Sequence, residues 1–179
     1  MGNSYQISNP QGIYFLTFQV VGWADIFTRK IYRDILIDSF AYCQKEKELK
    51  LHCYVIMSNH VHCIVSTEAN LSDIVRDFKK YTSKTILKEI ESPTESRKEW
   101  LMMIFKYHAK FNKRVNDVQF WTHENHAVEL TTNEMIDSRI NYIHQNPVRA
   151  AIVENDFEYL YSSARNSANL ENLLVIDEL

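Results

Sequence analysis

Two short apolar runs separated by a two-residue polar turn constrain the fold of this chain most strongly. Residues 49–57 (LKLHCYVIM) and 61–66 (VHCIVS) are rich in apolar and β-branched side chains, and Ser58-Asn59 lies between them. Runs of this length on either side of a short polar turn are typical of a β-hairpin. The hairpin predicts an antiparallel sheet around which the remaining elements must pack.

The elements around the hairpin alternate between strand and helix. Residues 13–21 (IYFLTFQVV) predict a strand because they are β-branched and aromatic. Short extended pieces are predicted at 118–121 and 126–130. Apolar residues at helical spacing predict helices over 28–47, 72–90, 100–115 and 132–146, with Thr28, Ser72 and Thr132 at their starts and Pro147 ending the last. This order predicts an α+β, ferredoxin-like βαββαβ fold, with helices on one face of the sheet.

Length and composition indicate one globular unit. A chain of 179 residues with three glycines and three prolines fits one main domain over 1–153 followed by an acidic C-terminal extension over 154–179. No apolar run approaches a membrane span, and the polar N-terminus is unlike a signal peptide. The three cysteines have no CxxC spacing, which argues against a disulfide framework and favours a cytoplasmic location.

The net charge of −3 conceals an uneven distribution. Residues 76–114 contain eleven Lys and Arg against five acidic residues, whereas 154–179 contain six acidic residues and Arg165 alone among the basic ones. The basic segment also contains aromatic residues, such as Tyr81 and Tyr107, between its cations. Cations interleaved with rings suit a nucleic-acid backbone and its bases, and equally suit solvated helix faces whose rings belong to the core.

His60-Val61-His62 is the clearest candidate for metal binding. Residues two apart in a strand point to the same face, so both imidazoles project together. Two neutral imidazoles on one face offer a bidentate site for a divalent metal. The alternative is that one histidine faces solvent and the other has a structural role.

The helix before Pro147 presents a second candidate. Tyr142 and Asn146 are four residues apart and share a helix face, whereas His144 points elsewhere. A tyrosine hydroxyl beside an amide oxygen could be a nucleophile next to a metal ligand, provided that a base or a metal assists it. The alternative is an ordinary tyrosine in the buried stripe of the helix.

These features occur together, in order, in one known family. The segments YVIMSNHVHCIV (54–65), FKKYTSKTI (78–86), FWTHENHAVEL (120–130), YIHQNPVRAAIV (142–153) and YSSA (161–164) resemble those of the REP-associated tyrosine transposases. That family belongs to the single-tyrosine insertion-sequence transposases, which have an HUH (His–hydrophobic–His) site. The resemblance spans roughly residues 10–165.

The resemblance implies an activity and a role for each candidate residue. It implies cleavage and rejoining of single-stranded or hairpin DNA through a 5′-phosphotyrosine link, with Mg²⁺ or Mn²⁺ and without a nucleotide cofactor, in a monomer or a homodimer. Tyr142 would be the nucleophile, and His60, His62 and Asn146 the metal ligands. DNA contacts are expected from basic side chains: Lys79, Lys80, Lys84, Lys110, Lys113, Arg114 and Arg149.

Two departures from the family pattern stand out. Ser58 replaces a common proline, and Ala151 replaces a common glycine, which would be unfavourable if that position required a positive φ. The proposed nucleophile and ligands are intact, which favours an active enzyme. The alternatives are a catalytically silent protein that recognises hairpin DNA, and a metal-dependent hydrolase that uses water in place of Tyr142.

Overall fold

A four-stranded antiparallel sheet forms the centre of the molecule. The computed structural model describes residues 6–112 and 117–179. The strands are β1 (Tyr14–Gln19), β2 (Leu49–Ile56), β3 (His60–Thr67) and β4 (Val128–Glu129). Their order is β2-β3-β1-β4, and every neighbouring pair is antiparallel. This is the order of a ferredoxin-like sheet, so the predicted fold class is confirmed.

Helices follow the strands in the predicted alternation. They are α1 (Lys30–Lys47), α2 (Leu71–Ile90), α3 (Lys98–Ala109), α4 (Asn133–His144), α5 (Asn146–Arg149) and α6 (Ala164–Ser167). Short 3₁₀ turns lie at Val21–Trp23, Ile26–Thr28 and Asp156–Glu158. No helix within the described ranges is long and apolar enough to cross a membrane.

The two faces of the sheet receive different helices. On one face, α1 and α2 cover β1 and β3: the Phe78 ring centroid of α2 lies 5.4 Å from that of Phe18 and 4.6 Å from that of Phe40. These are the helices of the βαββαβ core, and they share one face as predicted. Helix α4, which follows that core in the chain, packs against β2 and β3 on the opposite face, where the Tyr142 ring meets the His62 ring.

The helix starts were predicted with mixed success. Thr132 caps α4, since its side chain accepts a hydrogen bond from the Met135 amide. The predicted caps Thr28 and Ser72 are wrong. Thr28 belongs to a 3₁₀ turn and its hydroxyl donates to the Asp25 carbonyl oxygen (2.8 Å), and α2 is capped by Asn70. Helix α1 begins after Arg29 without a side-chain cap, whereas the turn before α2 brings the Asn70 side chain to the Asp73 amide.

The segment between α3 and β4 is less regular than predicted. Helix α3 ends at Ala109, and the end of the predicted helix (113–115) lies outside the described residues. The predicted extended piece 118–121 makes one isolated bridge, between Trp121 and Val20. The piece at 126–130 contributes the two residues of β4.

The C-terminal extension packs along β2, which lies at an edge of the sheet. The Ile56 amide donates to the Tyr161 carbonyl oxygen (3.0 Å), and the Asp177 amide donates to that of Leu51 (2.9 Å). Leu174 is buried in the core. The extension therefore satisfies backbone groups that an edge strand would otherwise expose.

Candidate active site on the α4 face of the sheet

The two histidines of the HVH segment lie side by side under α4. In the register of the sheet, His60 pairs with Gln19 and His62 with Thr17. The two imidazole centroids are 4.7 Å apart. Both side chains therefore lie on one face of the sheet, as strand alternation predicts.

Each imidazole uses its Nδ1 atom for a hydrogen bond. His62 Nδ1 lies 2.8 Å from Thr17 Oγ1, and His60 Nδ1 lies 2.6 Å from Asn59 Oδ1. An amide oxygen only accepts, so His60 carries its proton on Nδ1 and presents the Nε2 lone pair. Metal-ligating histidines are typically oriented in this way by partners behind them. His60 is thus prepared to bind a cation through Nε2, and the Thr17 hydroxyl, which is able to accept a proton from Nδ1, allows the same tautomer for His62.

Burial keeps both imidazoles neutral. Desolvation lowers the pKa of His60. It lowers the pKa of His62 to about 3, with further contributions from His60 and from the guanidinium groups of Arg139 and Arg149. Neutral imidazole is the form that coordinates a metal, so the site is in its ligating form at neutral pH.

Tyr142 lies directly against this pair. Its ring centroid is 5.3 Å from that of His62 and 6.0 Å from that of Phe15. Two cations approach the same ring, Arg149 at 4.7 Å and Arg139 at 5.9 Å from the centroid. The half-buried tyrosine is therefore enclosed by an imidazole on one side and guanidinium groups on another, an environment that attracts a phosphate.

Asn146 is oriented by the end of α4. Its Nδ2 donates to the Tyr142 carbonyl oxygen (2.9 Å), and the same oxygen accepts from the Arg149 guanidinium (2.6 Å). The amide nitrogen is thus occupied, which leaves Oδ1 as the atom able to bind a cation. Within 6–112 and 117–179, no three His, Cys, Asp or Glu side chains gather into a metal site, so a third ligand would have to be of another type.

His144 points away from the site, as its helix position indicated. Its Nε2 lies 2.9 Å from Ser163 Oγ and 3.3 Å from Cys53 Sγ, in a buried cluster. Burial raises the pKa of the Cys53 thiol to about 12, so this cysteine is unreactive. The cluster ties the end of α4 to β2 and to the C-terminal extension, and so fixes the helix that carries Tyr142.

The predicted basic residues that the structure describes lie on several different elements. Lys80 and Lys84 are exposed on α2, across the sheet from the imidazoles, and Lys110 is exposed at the end of α3. Lys113 and Arg114 lie outside the described residues. Arg149 is the predicted basic residue that adjoins the candidate site.

Lys79 has a different environment from the other predicted lysines. Its Nζ donates to the Thr122 carbonyl oxygen and to Asn125 Oδ1, each at 2.7 Å, and burial lowers its pKa to about 8. Its amine is used to hold the 122–125 loop, whose Asn125 carbonyl oxygen in turn accepts from the Thr17 amide. The structure shows Lys79 hydrogen-bonded within the protein, and its predicted contact with DNA stays a prediction.

Three contributors to the site were missed by the sequence analysis. Arg139 lies three residues before Tyr142 on the same helix face, so helical spacing could have identified it. Asn59 is adjacent to His60 and was assigned only to the turn. Thr17 gave no local signal, because its contact with His62 depends on the register between β1 and β3.

Known proteins identify the family of this chain. The family model described as IS200-like transposase matches residues 14–102, a span that includes His60 and His62. The chain belongs to the IS200-like transposase family. Tyr142 and Asn146 lie beyond the matched residues of this transposase. The fold places the Tyr142 ring against His62, and Asn146 is hydrogen-bonded to the Tyr142 carbonyl oxygen.

One solved structure that is similar to this chain shares its fold. A REP-associated tyrosine transposase bound to a REP hairpin is 16% identical, with a TM-score of 0.66 over 99% of this chain and 93% of that chain. A protein from Deinococcus radiodurans R1, assigned as a transposase, is also 16% identical, with a TM-score of 0.42 over 82% of this chain and 95% of that chain. No curated protein matches the chain.

Proposed function

We propose that this transposase cleaves and rejoins single-stranded DNA at hairpin-bearing or repeat-associated sites, with Tyr142 as the nucleophile. The observation that supports it most directly is the contact between the Tyr142 ring and His62, an imidazole whose Nδ1 is occupied and whose Nε2 is available. The hairpin-bound relative supports a hairpin DNA substrate, because the two proteins share a fold over nearly their whole lengths.

A divalent ion, Mg²⁺ or Mn²⁺, fits the donors on this face. His60 Nε2, His62 Nε2 and Asn146 Oδ1 would hold it, a mixed nitrogen and oxygen set that leaves further positions for phosphate oxygens and water. When bound, the metal polarises the scissile phosphate and stabilises the charge that develops there.

The reaction is a transesterification. The Tyr142 oxygen attacks the phosphorus, the bond between phosphorus and the tyrosine oxygen forms, and the bond to the 3′ oxygen of the preceding nucleotide breaks. The tyrosine proton ends on that 3′ oxygen. The 5′-phosphotyrosine keeps the energy of the phosphodiester, so attack by this or another 3′-hydroxyl rejoins DNA without a nucleotide cofactor.

The guanidinium groups beside Tyr142 would hold the DNA phosphates during this step. Arg149 and Arg139 both lie within 6 Å of the Tyr142 ring, and guanidinium groups bind phosphate oxygens in a bidentate manner. Lys80, Lys84 and Lys110 stay predicted DNA contacts, as do Lys113 and Arg114. A monomer or a homodimer stays a prediction. A cytoplasmic location stays a prediction.

A labelled hairpin oligonucleotide with single-stranded flanks tests this function. With Mg²⁺ or Mn²⁺, we expect a covalent protein–DNA adduct that disappears in Tyr142→Phe, whereas DNA binding persists. Binding without any adduct would favour the catalytically silent alternative. Cleavage that survives in Tyr142→Phe would favour hydrolysis by water and contradict the assigned nucleophile.

A further inference from the structure

An exposed tryptophan is held in an unusual backbone conformation beside the candidate site. Gly22 and Trp23 both have left-handed backbones, with φ of 62° and 57°, and the Trp23 side chain is 73% exposed. A bulky residue rarely adopts this conformation. Its ring gains little from packing, so burial does not account for the strain. Strain of this kind is concentrated at functional sites.

One amide connects this turn to the metal-binding histidines. Asn59 Nδ2 donates to the Trp23 carbonyl oxygen (3.2 Å), while Asn59 Oδ1 accepts from His60 Nδ1 (2.6 Å). The contacts therefore run in the order Tyr142, His62, His60, Asn59, Trp23. Trp23 lies at the end of the site away from the nucleophile.

Helix α3 continues the aromatic surface away from Trp23. Gly22 lies against α3 so closely that a Cβ atom there would come within 2.6 Å of the Ile104 side chain and 3.0 Å of the His108 ring. The His108 ring contacts that of Tyr107 (5.5 Å between centroids), and Tyr107 contacts Phe111 (5.1 Å). We call Trp23, Tyr107, His108 and Phe111 the aromatic strip.

The strip has the chemistry of a single-stranded nucleic-acid surface. Tyr107 and Phe111 are exposed, although large rings on a folded surface usually turn inward. Lys106 and Lys110 are exposed on the same stretch of α3. Exposed rings offer faces on which bases stack, and adjacent lysines neutralise the phosphates between those bases.

We propose that the aromatic strip binds the unpaired nucleotides on the 5′ side of the scissile phosphate. The proposal rests on the proposed function. In an in-line displacement the leaving oxygen departs opposite the attacking one. Tyr142 attacks from one end of the site, so the 3′ oxygen leaves toward His60, Asn59 and Trp23. The strip would keep the released 3′-hydroxyl strand bound, ready for rejoining.

Binding affinity provides the first test, in a Tyr142→Phe background that prevents cleavage. The probe is a fluorescein-labelled hairpin oligonucleotide with single-stranded flanks, and anisotropy reports binding. We expect Trp23→Ala to weaken binding about tenfold, the effect of one lost base stack, and Trp23→Phe to restore it. Tyr42→Ala is the control, at another exposed aromatic residue on α1, and should change affinity by less than about twofold. Equal affinities for Trp23→Ala and Tyr42→Ala would overturn the proposal.

The direction in which the DNA strand crosses the site provides the second test. After wild-type protein has mapped the cleavage position, 2-aminopurine is placed on either side of it. On the 5′ side of that position, we expect the 2-aminopurine fluorescence to be quenched, and we expect Trp23→Ala to abolish the quenching. On the 3′ side, which becomes joined to tyrosine, Trp23→Ala should leave the fluorescence unchanged. A Trp23-dependent signal on the tyrosine-linked side would overturn the proposal. The affinity test needs no cleavage, so absence of a covalent adduct would count against the proposed function alone.

Discussion

The two faces of the same strands differ in chemistry although both are buried. On β1 and β3, Leu16 and Val61 face the α1–α2 side, while Thr17 and His62 face α4. His62 is only 6% exposed, so exclusion from water does not distinguish the faces. What differs is that the α4 face carries polar groups, and His62 and His60 there each have a hydrogen-bond partner. The α1–α2 face therefore stabilises the fold, whereas the α4 face holds polar groups in place at some cost in stability.

The α4 face also collects the buried imidazoles. Burial lowers the pKa of His52, His60, His62 and His144, and each of them makes a hydrogen bond or ring contact on this face. On the α1–α2 face the buried titratable group of β3 is the Cys63 thiol, whose pKa is raised by burial. Acid should therefore act on the protein mainly through the α4 face.

The largest stability effect is expected on the α1–α2 face. Leu16→Ala should lower the free energy of unfolding by about 2–5 kcal/mol, because it leaves a cavity in a fully buried core. Denaturant unfolding measures the change. Leu173→Ala, the same substitution at an exposed position, is the control and should have little effect. Similar losses for the two variants would contradict the division between the faces.

Thr17, the neighbour of Leu16 in sequence, should affect metal binding more than stability. Thr17→Val removes the hydroxyl that orients His62, so affinity for Mn²⁺ should fall about 10–100-fold. Titration calorimetry measures this affinity. The loss of one hydrogen bond should cost about 1 kcal/mol of stability, less than Leu16→Ala. Thr131→Val, at an exposed threonine, serves as control, and unchanged affinity in Thr17→Val would show that His62 needs no partner.

Acidification should destabilise the metal-free protein as the pH falls below about 6.5, and the loss contributed by His62 should continue down to its lowered pKa of about 3. Unfolded imidazoles take up protons near pH 6.5, whereas the folded ones, with lowered pKa values, resist protonation. Stability is therefore greatest above pH 6.5 and falls as the pH decreases. His52→Gln should reduce the slope, as measured by urea unfolding at several pH values. A flat profile in the wild type, or an unchanged slope in the variant, would be inconsistent with this explanation.

The smallest effect on stability is expected at Ala151, a position outside both faces of the sheet. Ala151 has a φ of 53°, the positive value that the family's glycine suggested for this position. Ala151→Gly should stabilise the protein by about 1 kcal/mol, since glycine adopts this conformation without strain. Ala150, with a φ of −81°, is the matched control, and Ala150→Gly should not stabilise. Thermal unfolding distinguishes the two, and equal shifts would show that the left-handed backbone is not strained.

Local patterns predicted much of this site, because they depend on the period of one element. Alternation placed His60 and His62 on one face, and the i, i+4 spacing placed Tyr142 and Asn146 together. Contacts between elements were not predictable in this way. The partnership of Thr17 with His62 depends on strand register, and the hydrogen bonds of Lys79 depend on a loop more than forty residues away in sequence.

The basic segment (76–114) shows the same difference between what a local pattern predicts and what the fold determines. Its charge was visible in the sequence, but the fold separates its members: Lys80 lies on α2, Lys110 ends α3, and Lys79 is half-buried. Arg139, which lies outside the segment, reaches the Tyr142 ring. The charge of this segment therefore predicted a DNA partner, and which of its residues contact DNA stays a prediction.

The site of covalent attachment tests the central claim most directly. Wild-type protein is incubated with hairpin-bearing single-stranded DNA and Mn²⁺, digested with protease and nuclease, and analysed by tandem mass spectrometry. The account predicts a nucleotide joined through its 5′-phosphate to the peptide that contains Tyr142. Attachment to another of the ten tyrosines, or cleavage that leaves no peptide modified, would contradict it.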